Sequence, residues 1–288
     1  MPRTCLLRSK SHFPDPQAPV SINRQRAQPP VQAHRHEFVE IVLVLSGSGV
    51  HGTGEIRHEI RTGDVLVIHG GRSHAYEDAR FLHLVNVLVR RHVLDDAAKE
   101  LGGLSGYHPL FTFEFARWRP GEFRGHLRLN STDLGTASAW VDAIEEEIRH
   151  GTEGAYFLAR SWLMLLLGLL ARNYGKNGAV SSCLDMRLGR VLSRIDQDPT
   201  GRFPLGELAG QAAMSPRSFL RYFKTATGFS PADYVIRSRI RRAEEMLVRE
   251  DGKLSVTEIA FRCGFQDSNY FSRQFRRVTG KTPRSYRR

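Results

Sequence analysis

Six side chains in the last third of the chain recur as two stripes. Arg217, Arg221 and Lys224 are spaced i, i+4, i+7, and Asn269, Arg273 and Arg276 repeat that spacing 52 positions later. In a helix each trio falls on one face. The chemistry open to such a face is the reading of base edges. Arg bonds guanine O6 and N7 in bidentate fashion, and Asn does the same with adenine N6 and N7. A charged face that meets only solvent is the plainer alternative, but its recurrence at one spacing argues against it.

The elements that must carry these stripes are duplicated too. Glu207-Leu208-Ala209 returns as Glu258-Ile259-Ala260, and Phe219, Phe223, Thr227-Gly228, Pro231 and Tyr234 return as Phe271, Phe275, Thr279-Gly280, Pro283 and Tyr286. Each copy reads as helix, tight turn, helix. Leu205 to Ala212 and Val256 to Arg262 are the first helices. Ser215 with Pro216, and Asp267, are the start signals of the second. The phenylalanine pairs lie four residues apart and are expected in the core. Between the copies, Pro231 to Val248 reads as an amphipathic helix with Ile236, Ile240, Ala243 and Leu247 inward. Arg237, Arg239, Arg241 and Arg242 on its remainder are candidates for phosphate contacts. Such a helix would hold two major-groove readers about one DNA turn, ~34 Å, apart.

Charge agrees with this division. The 288 residues carry a net +12, and Asp185 to Arg288, with 21 basic and 11 acidic residues, holds +10 of it. A basic module beside a near-neutral one reads as a DNA-binding domain attached to something else. The 41% hydrophobic and 25% charged content excludes wholesale disorder. Cys5, Cys183 and Cys263 include no close pair, which argues against a disulfide framework and for a reducing compartment. The opening residues lack the apolar stretch of a signal peptide, and the run Trp162 to Ala171 is short of the ~20 residues of a spanning helix. The expectation is a cytoplasmic protein without membrane contact.

The first two thirds read differently. Residues 1–30 are proline-rich and polar, a flexible arm. Short apolar runs with glycine between them, EIVLVL, GVHGTGEIRHEI, GDVLVIHGG and FLHLVNVLV, read as antiparallel strands. Gly47-x-Gly49-x2-Gly52 satisfies a dinucleotide-binding pattern, but Thr53-Gly54 continues as a hairpin and not a helix, so that reading fails. Helical spacing follows at Ala137, Val141, Ile144 and Ile148, and again from Ala155 to about Asn173. The second stretch is apolar nearly all round, and pairing of two subunits is its expected role, with an intramolecular core as the alternative. Asn173 to Ser182 reads as a linker.

With these motifs in view, Leu205 to Arg288 resembles the DNA-binding domain of the AraC/XylS family of bacterial transcription regulators. RIRRAEEML and VTEIAFRCGFQDSNYFSRQFRRVTGKTPRSYRR carry the resemblance. It implies base contacts from Arg217 and Arg221 in one recognition helix and from Ser268, Asn269 and Arg273 in the other. Ser218, Lys224, Ser272, Arg276 and Arg277 complete the implied DNA face. Leu220 departs from the polar residue relatives often carry. Upstream, His34-x-His36-x3-Glu40-x6-Gly47 matches the spacing of the first cupin motif. Gly63-x5-His69-x-Gly71-x2-His74 is similar to the second, with His69 where proline is usual and Asp78 in place of the terminal Asn. Metal-binding cupins would place ligands at His34, His36, Glu40 and His74, and alternation along one strand would point the first three inward. Imidazole and carboxylate suit Fe, Mn, Ni or Zn. HRHEFVEIVLVLSGSGVH and HAYEDARFLHLVNVLVRR are similar to the rhamnose-responsive members of the family, which implies a carbohydrate effector.

The expected architecture is therefore α+β. A cupin-like barrel with a helical dimerisation hairpin spans residues 31–174, a linker 175–184, and an all-α domain of two helix-turn-helix units 185–288. The expected function is sequence-specific regulation of transcription, as a dimeric activator that contacts RNA polymerase. A small molecule, a sugar by resemblance, would meet His34, His36, Glu40, His74 and Tyr76, and no cofactor is needed. The alternative is a metal-binding cupin, either a metal sensor or a metal-dependent isomerase or dioxygenase with a DNA-binding tail. Because the basic excess is C-terminal, the fragment Asp185 to Arg288 is expected to bind DNA alone, with affinity falling steeply in salt. A folded fragment that shows no binding in a low-salt gel-shift experiment contradicts this.

Overall fold

The computed structural model describes residues 5–287 apart from 14, 16, 55, 114–123, 177–182 and 250–253. The expected linker falls largely on 177–182, outside the described residues. The chain divides into two compact units, Met1–Gly189 and Arg190–Arg288.

The first unit begins with β1 (Cys5–Leu7), α1 (Ser9–His12), β2 (Val20–Gln25) and β3 (Val31–His36). Then come β4 (Val39–Thr53), β5 (Ile56–Arg61), β6 (Asp64–Ile68) and β7 (His74–Val89). After these stand α2 (Arg91–Leu101), a π-helical turn (His108–Thr112), β8 (His126–Arg128), α3 (Ser131–His150) and α4 (Ala155–Lys176). The strands form one sheet in the order β1-β3-β7-β4-β6-β8, with β2 added on β7 and β5 on β4. The long pair β4 and β7 is its spine. Ile41, Leu43, Val85 and Val87 enter one buried cluster with Leu163, Leu166 and Leu167 of α4, while Val42, Val44 and Leu84 enter another with Leu66 and Tyr76. Both faces of the spine are buried, which explains why EIVLVL is apolar without alternation. Both strands bend where their register shifts. Gly47 lies at such a bend with φ +82, and a Cβ there would stand 2.2 Å from the Phe81 carbonyl oxygen, so only glycine fits.

The expected flexible arm is corrected. Residues 20–25 are β2, paired antiparallel with the last six residues of β7, and Ala18 and Val20 are fully buried. The strand's apolar contribution is two residues long, too short to stand out among flanking prolines, yet it covers an otherwise open edge of β7. The hairpin α3–α4 is present with Asn130 capping α3 through the Asp133 amide. α4 is 22 residues long and, by length and composition alone, apolar enough to cross a membrane. Leu163, Leu166, Leu167 and Leu170 are instead buried in the core of this unit. The apolar text of α4 is thus largely answered within the chain, although Phe157, Leu158 and Leu165 remain exposed.

α5 (Cys183–Gln197) leads into the second unit, which holds α6 (Leu205–Gln211), α7 (Pro216–Thr227), α8 (Pro231–Arg249), α9 (Val256–Arg262), α10 (Ser268–Thr279) and α11 (Pro283–Tyr286). The local signals act as read. Ser215 and Asp267 cap α7 and α10, and Gly228 and Gly280 end them in left-handed conformation. Phe219, Phe223, Phe271 and Phe275 are fully buried, and Ile240, Ala243 and Leu247 of α8 pack with the second pair. Asp196 near the end of α5 is buried and accepts from the Tyr234 hydroxyl at 2.7 Å, the Ser238 hydroxyl at 2.8 Å and Arg241 at 3.2 Å.

β8 is short and is held by a buried carboxylate. Asp64 accepts two hydrogen bonds from Arg128 and one from His126, each 2.8 Å long, and one from the Arg61 amide. Burial pushes its carboxyl up, but these donors outweigh burial and hold it at about 2. A folded-state value below the unfolded one stabilises above pH ~4 and is lost as pH falls toward 2. The effect is about 1–2 kcal/mol, reduced because Arg128 is partly exposed. Urea unfolding of Asp64→Asn should show a deficit at pH 6 that shrinks at pH 3. A deficit that does not vary with pH contradicts the assignment.

Candidate functional site

On α7, Arg217, Arg221 and Lys224 are exposed, and none of the three side chains has a hydrogen-bond or ion-pair partner within the described residues. Leu220 lies on the same face, 40% exposed, where the readout open to it is contact with a thymine methyl. On α10, Asn269, Arg273 and Arg276 are exposed, and the Arg273 guanidinium lies 6.0 Å from the ring centre of Tyr270. Tyr270 is itself exposed on this helix, and a reading based on charge alone passed over it. Ser218 and Ser272 are already engaged: the Ser215 and Ser218 hydroxyls are 3.0 Å apart, and Ser272 donates to the Ser268 carbonyl. Arg277 is turned away to Asp233, which corrects its expected place on the DNA face.

Three of the four arginines of α8 expected to meet phosphates are engaged within the fold instead. Arg237 bonds Asp233, Arg239 donates to the carbonyls of Pro199 and Gly201, and Arg241 bonds Asp196. Of the four, Arg242 is the one left exposed. The partners of Arg239 and Arg241 lie about 40 residues away, where a reading of the helix alone does not reach them.

A second site lies in the sheet of the first unit. His36 ends β3, Glu40 opens β4 and His74 opens β7, and all three are buried. His36 Nδ1 is 2.6 Å from the Phe38 carbonyl, which makes Nδ1 the donor and turns Nε2 toward the cluster. That Nε2 and the Nε2 of His74 each stand 3.4 Å from Glu40 Oε2. The geometry makes no hydrogen bond: these three atoms and the Tyr76 hydroxyl are buried without a hydrogen-bond partner. Burial and the neighbouring histidines keep His74 neutral. Burial pushes His51, 3.4 Å from His74, down to about 3, and pushes the Tyr76 hydroxyl well up, with the Glu40 charge adding to that. A cleft of about 840 Å³, lined in part by His74 and Tyr76, opens beside the cluster.

Three of the four expected ligand positions therefore converge, with their ligand atoms within 4.8 Å of one another. His34 does not join them. Its ring centre lies 4.2 Å from that of His74, with the planes tilted by 46°, and its Nδ1 is 3.1 Å from the Gln32 carbonyl. The expectation that His34, His36 and Glu40 share one strand is also corrected, because the chain breaks between β3 and β4 at residues 37 and 38. His69 is buried near His36, and its ring is hydrogen-bonded to the backbone of Leu110.

Comparison with known proteins places both sites in one family. The description "AraC-like ligand binding domain" matches residues 20–153, and "Helix-turn-helix domain" matches 208–288. The HTH-type transcriptional activator RhaS of Citrobacter koseri is 32% identical over 98% of this chain and 96% of its own length. The chain belongs to the AraC/XylS family. A second AraC-type relative, the HTH-type transcriptional activator RhaR of Mannheimia succiniciproducens, is 29% identical over 96% of the chain and 94% of that protein. The DNA-binding domain of AdpA in complex with a target DNA is 34% identical over 35% of this chain and 89% of that one. Its TM-score of 0.33 carries no weight here. As an AraC/XylS member the chain is a DNA-binding transcription regulator and not an enzyme, which removes the isomerase and dioxygenase alternatives.

Because Arg221 and Arg273 are exposed and unspent at equivalent positions, changing either to Ala should cost ~1–3 kcal/mol on the specific site and far less on random DNA. Equal losses on both duplexes, measured by anisotropy, would make them phosphate contacts.

Proposed function

We propose that this regulator binds a sugar in its N-terminal unit and, as a cytoplasmic dimer, activates transcription from a site read by α7 and α10. The observation that carries the effector reading is the set of buried, unpartnered polar atoms on His36, Glu40, His74 and Tyr76 beside the 840 Å³ cleft. Leaving such groups without partners costs free energy. A polyhydroxylated ligand supplies both donors and acceptors, and the cleft has the size of a small-molecule site. The exposed Phe157, Leu158 and Leu165 of α4 support the pairing of subunits. Both relatives are transcriptional activators by name, which supports a contact with RNA polymerase. A ligand that binds two arrangements of the dimer unequally shifts their populations, and DNA affinity with them.

One observation favours a second reading of the cluster. Two imidazoles and one carboxylate with ligand atoms within 4.8 Å fit a divalent transition metal, which would leave further coordination positions open. His36 Nδ1, bonded to the Phe38 carbonyl, would fix the tautomer in which Nε2 coordinates.

A thermal-shift screen of the full chain against neutral sugars, with and without chelator, separates the readings. A sugar at ~100 times its dissociation constant adds ~2.7 kcal/mol of stability. The sugar reading expects a shift that survives chelator and is lost in His74→Ala. No shift with any sugar, together with a melting point that falls on chelation, overturns it in favour of metal.

A further inference from the structure

Asp233 sits in the first turn of α8, where its amide donates to the Ser230 hydroxyl at 3.2 Å. Its carboxylate serves two partners. Oδ2 accepts from Arg237 Nε, one turn on, at 3.2 Å, and Oδ1 accepts from Arg277 in the last turn of α10, 44 residues away. The Arg237 guanidinium also lies 4.1 Å from the ring centre of Phe229. Phe229 in turn is tied to the end of α7, because the Thr227 hydroxyl bonds both its amide and its carbonyl at 3.2 Å. A continuous set of contacts thus runs from α7 through Thr227, Phe229, Arg237 and Asp233 to Arg277 on α10. Burial raises the Asp233 carboxyl, but the two guanidiniums outweigh burial and hold it below its usual value.

We propose that Arg277 is a positioning residue: through Asp233 it braces the second recognition helix against the start of α8, and so sets the register in which the two helices meet DNA. The inference rests on the reading that α7 and α10 both face DNA. Arg277 lies four positions after Arg273, so on the helix alone it belongs to the DNA stripe. Its charge is instead committed to an acid inside a strongly basic unit, where an isolated carboxylate would only weaken attraction to phosphate. Only residues 228–230 separate α7 from α8, so Asp233 moves with the first reader.

Simple electrostatics and a brace give opposite signs. If Asp233 acts by charge alone, Asp233→Ala tightens DNA binding. If Arg277 holds a phosphate, Arg277→Ala lowers the salt slope by about 1. The test uses the full chain and the tightest duplex obtained by in vitro selection with the wild type. Affinities are measured by anisotropy for D233A, R277A, the double variant and the exchanged pair D233R/R277D. The brace expects each single variant to bind at least roughly threefold more weakly, with the double no worse than the poorer single. It also expects an unchanged salt slope, partial rescue in the exchanged pair, and a smaller penalty for one base pair inserted between the half-sites. D233A binding as tightly as wild type or tighter overturns it, as do additive losses with a reduced slope in R277A. R221A and R273A run alongside: wild-type binding by both would defeat the base-reading assignment, while the sign of the D233A effect still decides the brace.

Discussion

A carboxylate taken out of water must be answered by hydrogen bonds or charge, and among the described residues the buried acids Asp64 and Asp196 are so answered while Glu40 Oε2 is not. Asp64 receives four donors and thereby secures β8 to the sheet. Asp196 receives three and secures the end of α5 to α8. Glu40 is as buried as these, yet its Oε2 faces two imidazole nitrogens that make no hydrogen bond with it. The contrast is what supports the proposed effector site. Other buried polar atoms lack partners too, Asn86 Oδ1 and Gln274 Oε1 among them, but those of His36, Glu40, His74 and Tyr76 lie beside an open cleft.

The second unit follows a different economy. Its stability rests on repeated apolar packing, with Phe219 and Phe223 in one copy matched by Phe271 and Phe275 in the other. That packing frees the opposite faces of α7 and α10 for charge. The arginines that are not free do internal work at the supports: Arg239 and Arg241 bind α8 to the chain before α6, and Arg277 joins α10 to α8. The same residue type is therefore exposed and unpaired in one place and holds the fold in another, decided by whether an acceptor stands within reach.

Much of this was legible from sequence because the signals are local. Ser215, Asp267, Gly228 and Gly280 mark helix ends within a few residues of themselves, and the 52-residue repeat doubles every such mark. The strands around EIVLVL and GDVLVIHGG were legible for the same reason. What was missed depends on contacts between distant residues. β2 carries little apolar text of its own and is defined by the edge of β7 it covers. The intramolecular burial of α4 depends on the sheet it meets, which its own composition does not disclose. Of the cluster, the motif spacing identified His36, Glu40 and His74. It could not show that His34 bonds its own strand's carbonyl, or that His51 lies against His74.

The central claim is that what binds the buried cluster changes how α7 and α10 meet DNA. Its most direct test is the affinity of the full chain for its selected duplex, titrated with and without the saturating ligand, beside His74→Ala. A shift in affinity with ligand that is absent in the variant is the expected result. Equal DNA affinity for the free and ligand-saturated protein would contradict the claim, because a ligand that favours neither state moves no equilibrium.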